Sequence, residues 1–185
     1  MTDTNYFLDI DVPNGVQAAV DKFKIIIKGK NGELTRNAAN PRFEFSVEDN
    51  KVFIRLKKGV KFSARDKMMM NTNMAHLKNM LKGIQVMYKA KLKICSGHFP
   101  MQVTVQDNML QIKNFLGEKV PRKTRFMDGV KVVVQGDIIL VEGADKENVG
   151  QTAAMIEQST RITNRDRRIF QDGVYIISKP GDEEQ

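Results

Sequence analysis

Hydrophobic and polar positions along this chain alternate with a period of two, change to a helical period, and then do both a second time. "YFLDIDV" (6–12) alternates and ends at the turn Pro13-Asn14-Gly15. "FKIIIKG" (23–29) and "RFEFSVEDNKVFIRL" (42–56) follow, the latter reading as two strands joined at Glu48-Asp49-Asn50. Phe43, Phe45 and Val47 share one face there, because side chains along a strand point alternately to either side. Met70, Met74, Leu77, Leu81 and Ile84 then fall at helical spacing, one apolar stripe of a helix that starts near Ser63 or Ala64 and has Gly83 near its end.

The second half repeats the plan. "YKAKLKIC" (88–95), "MQVTVQD" (101–107) and "MLQIKNF" (109–115) alternate, and "VKVVVQGDIILVEG" (130–143) predicts a hairpin around Gln135-Gly136-Asp137. Asp145 is placed to cap a helix carrying Val149, Ala153 and Ile156 on its inner face. The echo is visible in the letters. "IIIKGKNGEL" (25–34) laid over "LQIKNFLGEK" (110–119) pairs Ile25 with Leu110, Ile27 with Ile112, Lys28 with Lys113, Gly32 with Gly117 and Glu33 with Glu118. The expected fold is α+β: two tandem repeats of an antiparallel sheet packed against one helix. Its expected parts are an N-terminal repeat over 1–86, a C-terminal repeat over 87–180 ending in a basic extension, and an acidic, disordered tail over 181–185. Residues 161–180 have no counterpart in the first repeat.

Composition changes the picture in one respect. Forty-one per cent hydrophobic and 28% charged residues describe a globular chain, and no apolar run reaches membrane-span length. "MTDTNYFLDIDV" lacks a basic stretch followed by an apolar one, so no secretory signal is expected, and the lone Cys95 suits a reducing cytosol. The charge is what stands out. Thirty Lys and Arg against 22 Asp and Glu leave +8, which points to a polyanionic partner.

Most motifs with chemical potential have plain structural readings. "GKNG" (29–32) is a GxxG with a lysine inside, the kind of loop with which KH modules clamp a nucleotide backbone. In those modules helices flank the loop; strands flank this one, which predicts a hairpin turn, and Asn114 replaces the first glycine in the second copy. Asp9 and Asp11 share a strand face without a third ligand nearby, so they read as surface carboxylates. His76 and His98 have no cysteine at ligand spacing. Met68, Met69 and Met70 point in different directions on their helix, and Met70 and Met74 belong to its core stripe. No Walker-type loop, GxGxxG or nucleophile elbow appears. An enzyme would have to assemble its groups from scattered residues.

The basic segments are the remaining signal. "RLKKGVKFSARDK" (55–67) holds six basic residues, and Lys113, Lys119, Arg122, Lys123, Arg125 and Lys131 stand against only Glu118 and Asp128. "TRITNRDRRIF" packs Arg161, Arg165, Arg167 and Arg168 just past the second helix, where Arg161 also suits the negative end of the helix dipole. Arginine is the side chain for bidentate phosphate contact. A ribosomal structural protein, a free RNA-binding or assembly factor using GKNG, and a hydrolase with a scattered site are the readings to separate.

The C-terminal stretch "QSTRITNRDRRIFQDGVYIISK" (158–179) resembles the signature of the large ribosomal subunit protein six family, protein nine in eukaryotes, in its archaeal–eukaryotic form. "HFP" (98–100), "NFLGEK" (114–119) and "VPNGV" (12–16) are similar to other family stretches; the Met-rich first helix departs from the family pattern. The resemblance implies two tandem α+β units and a non-enzymatic, structural role in the cytoplasmic ribosome. It implies a seat on large-subunit ribosomal RNA beside the sarcin–ricin loop, among neighbouring ribosomal proteins and near the docking site of translational GTPases. The expected RNA-binding residues are Lys119, Arg122, Lys123, Arg125, Arg161, Arg165, Arg167, Arg168 and Lys179. No metal or cofactor is expected.

Overall fold

The structure is a computed structural model that describes residues 6–21, 24–38 and 40–182; residues 183–185 of the acidic tail lie outside the described residues. It divides into two compact units, Met1–Met87 and Tyr88–Gln185.

The first unit runs β1 (Phe7–Asp11), β2 (Gln17–Asp21), β3 (Lys24–Gly29), β4 (Gly32–Asn37), β5 (Phe43–Glu48), β6 (Lys51–Leu56) and α1 (Ala64–Gln85). β1, β6 and β5 form one antiparallel sheet in that order; β2, β3 and β4 form another. Asp49 and Asn50 both take positive φ, 47° and 61°, as a two-residue hairpin with the twist of its strands requires. The predicted stripe is the core: Met70, Met74, Leu77, Leu81 and Ile84 are buried with Ile25, Ile27, Val52 and Ile54.

Both ends of α1 are secured by side chains. Ser63 caps it reciprocally, its Oγ accepting from the Asp66 N–H at 3.3 Å while Asp66 Oδ2 accepts from the Ser63 N–H at 3.0 Å. Arg42 then grips the buried Asp66 with two bonds of 2.7 and 2.8 Å. These bonds from the guanidinium, helped by Ser63, hold the Asp66 carboxyl down at about 2. At the other end "GKNG" turns β3 into β4, as a hairpin and not between helices. Asn31 donates from its side chain to the Gly83 carbonyl and from its backbone to that of Ile84, both at 3.3 Å, satisfying acceptors the helix leaves open. Gly29 lies so close beneath that a Cβ there would sit 2.2 Å from Cγ2 of Ile84.

The second unit runs β7 (Tyr88–Cys95), β8 (Gln102–Gln106), β9 (Met109–Lys113), β10 (Arg122–Arg125), β11 (Val130–Gln135), β12 (Ile138–Gly143), α2 (Lys146–Ser159) and β13 (Gly173–Ser178), with a short 3-10 turn at Phe115–Gly117. Asp145 caps α2 through the Glu147 N–H at 2.9 Å, and Val149, Ala153 and Ile156 are buried. The topology of the first unit recurs. β8, β9 and β10 repeat β2, β3 and β4, and β7, β12 and β11 repeat β1, β6 and β5, with β13 added on the free side of β7. β3 begins at Lys24 and β9 at Met109, so the echo in the sequence joins the central strands of equivalent sheets.

Three strands escape the hydrophobic pattern: β2 (QAAVD), β4 (GELTRN) and β10 (RKTR). Each is the outer strand of a three-stranded sheet. Such a strand needs only one or two inward side chains, and small or polar residues can supply them.

Candidate nucleic-acid interface

Equivalent sheets in the two units present faces of opposite character. Away from the core, the β1-β6-β5 face carries three rows in register: Phe7, Arg55 and Glu44; Asp9, Phe53 and Ser46; Asp11, Lys51 and Glu48. Four carboxylates outnumber two cations, and the cations are tied up. Lys51 reaches Asp11 at 3.1 Å and Asp9 at 3.3 Å, which raises its pKa, so the two aspartates face an ammonium. Arg55 pairs with Glu48 at 2.7 Å and pulls that carboxyl below its ordinary range.

The matching face of the second unit carries Lys89, Glu142 and Lys131; Lys91, Leu140 and Val133; Lys93, Ile138 and Gln135. Four lysines stand against one glutamate, which engages Lys89 at 3.0 Å. Tyr175 of β13, 43% exposed, lies beside Lys93. An exposed aromatic among surface lysines is the composition of a surface that meets phosphates and bases. The lysines sit at alternate positions of "YKAKLKIC", with Ala90 and Leu92 buried between them. That alternation was the available signal, and the expected site residues omit them.

Of the expected residues, Lys119, Lys123, Arg125, Arg161, Arg165, Arg167, Arg168 and Lys179 are exposed. Arg122 is different. Its guanidinium holds both oxygens of Glu118 at 2.6 and 2.8 Å, donates to the carbonyls of Ser159 and Arg161 at 2.8 and 3.1 Å, and stacks 4.2 Å from the centre of the Phe115 ring. Its bonds hold the Glu118 carboxyl below its usual range. Arg122 thus brings a cation to the C-terminal end of α2, and it clips the 118–122 loop to the segment that leaves the helix. Lys123 and Arg125 project from the opposite face of β10 to Arg122 and the buried Thr124.

The segment after α2 is closed at its neck and shaped internally. The Val174 N–H donates to Thr160 Oγ1 and that of Ile176 to Glu157 Oε1, each at 3.0 Å, joining the start of β13 to the end of the helix. Within the loop the carbonyl of Asp166 accepts from the N–H groups of Ile169 and Phe170 at 3.1 and 2.9 Å. The carboxylate of Asp166 pairs with Arg168 at 2.8 Å, although the arginine side chain is 89% exposed. Phe170 is half-buried and packs on the core of the second unit, with the Arg165 guanidinium and the His98 ring each 4.9 Å from its centre. It is an apolar anchor. Arg167 has no bonding partner among the described residues.

His98 is held by Asp172, the buried aspartate just before β13. Asp172 Oδ2 accepts from His98 Nδ1 at 2.6 Å, and Oδ1 accepts from the N–H groups of His98, at 3.0 Å, and Gly97. Burial alone would push this carboxyl up, but the bonds from His98 and Gly97 outweigh it and keep it ionised. An Asp–His pair is two members of a hydrolytic triad, yet no hydroxyl or thiol among the described residues bonds to the imidazole. No cluster of three His, Cys, Asp or Glu side chains suited to a metal occurs among the described residues either.

Two copies of one α+β unit, the second with a lysine-rich open sheet face and exposed arginines after its helix, make a basic scaffold. Residues 99–173 match the model of the family described as ribosomal protein L6. Over 171 residues the chain is 40% identical to the large ribosomal subunit protein uL6 of Methanobrevibacter smithii, covering 92% of this chain and 94% of that one. Over 173 residues it is 42% identical to the large ribosomal subunit protein uL6 of Methanococcus vannielii, covering 94% and 93%. The chain belongs to the ribosomal protein L6 family, and is therefore a structural, non-enzymatic protein of the ribosome.

Proposed function

We propose that the chain is a structural constituent of the large ribosomal subunit in the cytoplasm, bound to large-subunit ribosomal RNA beside the sarcin–ricin loop. It lies among other ribosomal proteins and near the site where translational GTPases dock, and so supports translation. The observation that carries RNA binding by the second unit is the charge contrast between equivalent sheets. The location on the RNA is what the family resemblance carried by the C-terminal stretch implies.

The mechanism is electrostatic. Lys119, Lys123, Arg125, Arg161, Arg165, Arg167, Arg168 and Lys179 neutralise phosphates and release counterions, and Lys91, Lys93 and Lys131 extend the same field over the open sheet. Folded RNA is selected by shape, which demands that these cations be held in place. Arg122 does the holding: it fixes the loop that carries Lys119 relative to the end of α2. A loop already closed at its neck has little entropy left to lose on binding.

Directed cleavage tests the reading. A cutting iron chelate is tethered at Val120→Cys on a Cys95→Ser background; Val120 is 77% exposed in the loop before β10. The protein should sediment stoichiometrically with large subunits in moderate salt and cut the RNA in or beside the sarcin–ricin loop. Cleavage confined to a distant helix would overturn the location, and failure to sediment would overturn the assignment.

A further inference from the structure

A cleft of about 700 Å3 opens where β7 ends, between residues 95–98 and the loop that leads into β13. Its volume is in the range of sites that bury a small organic ligand. Its lining combines three kinds of chemistry. Tyr175, 43% exposed, and Ile169, 63% exposed, offer an aromatic ring and an apolar side chain to water, although residues of both kinds are ordinarily buried. Arg167 supplies a guanidinium without a carboxylate partner. His98 supplies a ring that is 39% exposed as a side chain and fixed in orientation.

The fixing is built from the residues that lead into β13. Asp172 Oδ2 accepts a hydrogen bond from the Nδ1–H of His98, which leaves Nε2 as the free, directional atom of the imidazole. Tyr175 donates from its hydroxyl to the Gln171 carbonyl at 3.2 Å. Gly173 lies against the same ring, and a Cβ there would meet its Cζ and Oη at 3.2 Å. So the Asp-Gly pair has two tasks, the aspartate to aim the histidine and the glycine to make room for the tyrosine.

We propose that this cleft takes up a single unstacked nucleotide of RNA, its base against Tyr175 and Ile169 with an edge toward His98, and its phosphate at Arg167. The proposal rests on the RNA-binding reading above. Proteins read single RNA bases by stacking them on aromatic or planar side chains and bonding their edges, and an aromatic wall beside a free cation meets both requirements. Lys93, next to Tyr175 in the sheet, extends the phosphate track away from the cleft.

Base-specific chemical probing of large-subunit RNA with the full-length protein tests this directly. The wild type should leave a backbone footprint and, within it, shield the base edge of one nucleotide. Tyr175→Leu should return that base to full reactivity, leave most of the backbone footprint in place, and weaken binding about 5- to 100-fold, as loss of one stacked base does. Tyr175→Phe should behave as wild type. Ile169→Ser, at a site too exposed to matter for folding, should partly uncover the same base. A footprint in which no base responds to Tyr175→Leu or Ile169→Ser would overturn the cleft while leaving RNA binding intact. The absence of any footprint from the wild type would overturn both.

Discussion

The open faces of the β1-β6-β5 and β7-β12-β11 sheets occupy equivalent places in two copies of one topology, yet one is acidic with its cations paired and the other is lysine-rich. Inward positions on these strands must stay apolar, because they meet a helix. Outward positions carry no such constraint, so two copies can keep one fold and diverge in what they bind. The contrast is one of placement, not of total charge. The first unit holds 15 basic and 9 acidic residues, the second 15 and 13. By count the first unit is the more basic. Its cations at Lys58, Lys61, Arg65 and Lys67, exposed around the start of α1, are therefore the rival seat for RNA.

If the two units are one design, deep deletions in either helix should cost alike. Leu77→Ala in α1 and Ile156→Ala in α2, both at fully buried positions, should each remove about 2–5 kcal/mol in urea unfolding. A cost below 1 kcal/mol at either site would mean that one helix does not organise its sheet. The next effect is at the β3–β4 hairpin of the first unit. Gly29→Ala drives a Cβ against Ile84 and should cost about 1–3 kcal/mol by overpacking, measured the same way. A neutral result would show that the hairpin can move off the helix.

Acid should separate the helices too. Asp66 is held at about 2 against an ordinary 3.8, so its contribution to stability is complete above pH 4 and disappears as the pH falls toward 2. Among the described residues no arginine joins Asp145, the cap of α2. Amide exchange should then show the first turn of α1 loosening over that window, and Asp66→Asn should abolish this pH dependence. Loosening that persisted unchanged in the variant would assign it to other carboxylates. A smaller contrast lies inside the second unit. Arg168 must give up Asp166 to meet a phosphate and Arg167 need not, so Arg167→Ala should weaken RNA binding more than Arg168→Ala in a filter assay. Equal losses would contradict the unpaired role given to Arg167.

Both helices, the Asp145 cap of α2, the core stripe and the duplicated order were legible in the sequence, because burial on one face imposes a period and a cap imposes a residue type. β2, β4 and β10 were not, since outer strands bury too little to leave a period. β10 shows itself only as the basic cluster Arg122-Lys123-Thr124-Arg125. The site was legible as charge and not as geometry. Arg122 is indistinguishable from Lys123 until the fold brings the carbonyls of Ser159 and Arg161 to it. "HFP" and "DG" were visible as separate stretches, and their union in the His98–Asp172 bond spans 74 residues. Long-range pairs of this kind leave no local pattern.

The central claim is that the second unit, and not the more basic first one, grips the RNA. It is tested by a salt titration of the full-length protein on large-subunit ribosomal RNA, with two variants that each lose four cations. One carries alanine at Lys93, Lys123, Arg125 and Arg167; the other carries alanine at Lys58, Lys61, Arg65 and Lys67. Each lost phosphate contact flattens the dependence of log affinity on log salt by roughly one. The first variant should lower the slope by about 3–4 and the second by less than about 1. The reverse order would place the grip on the first unit and contradict the account.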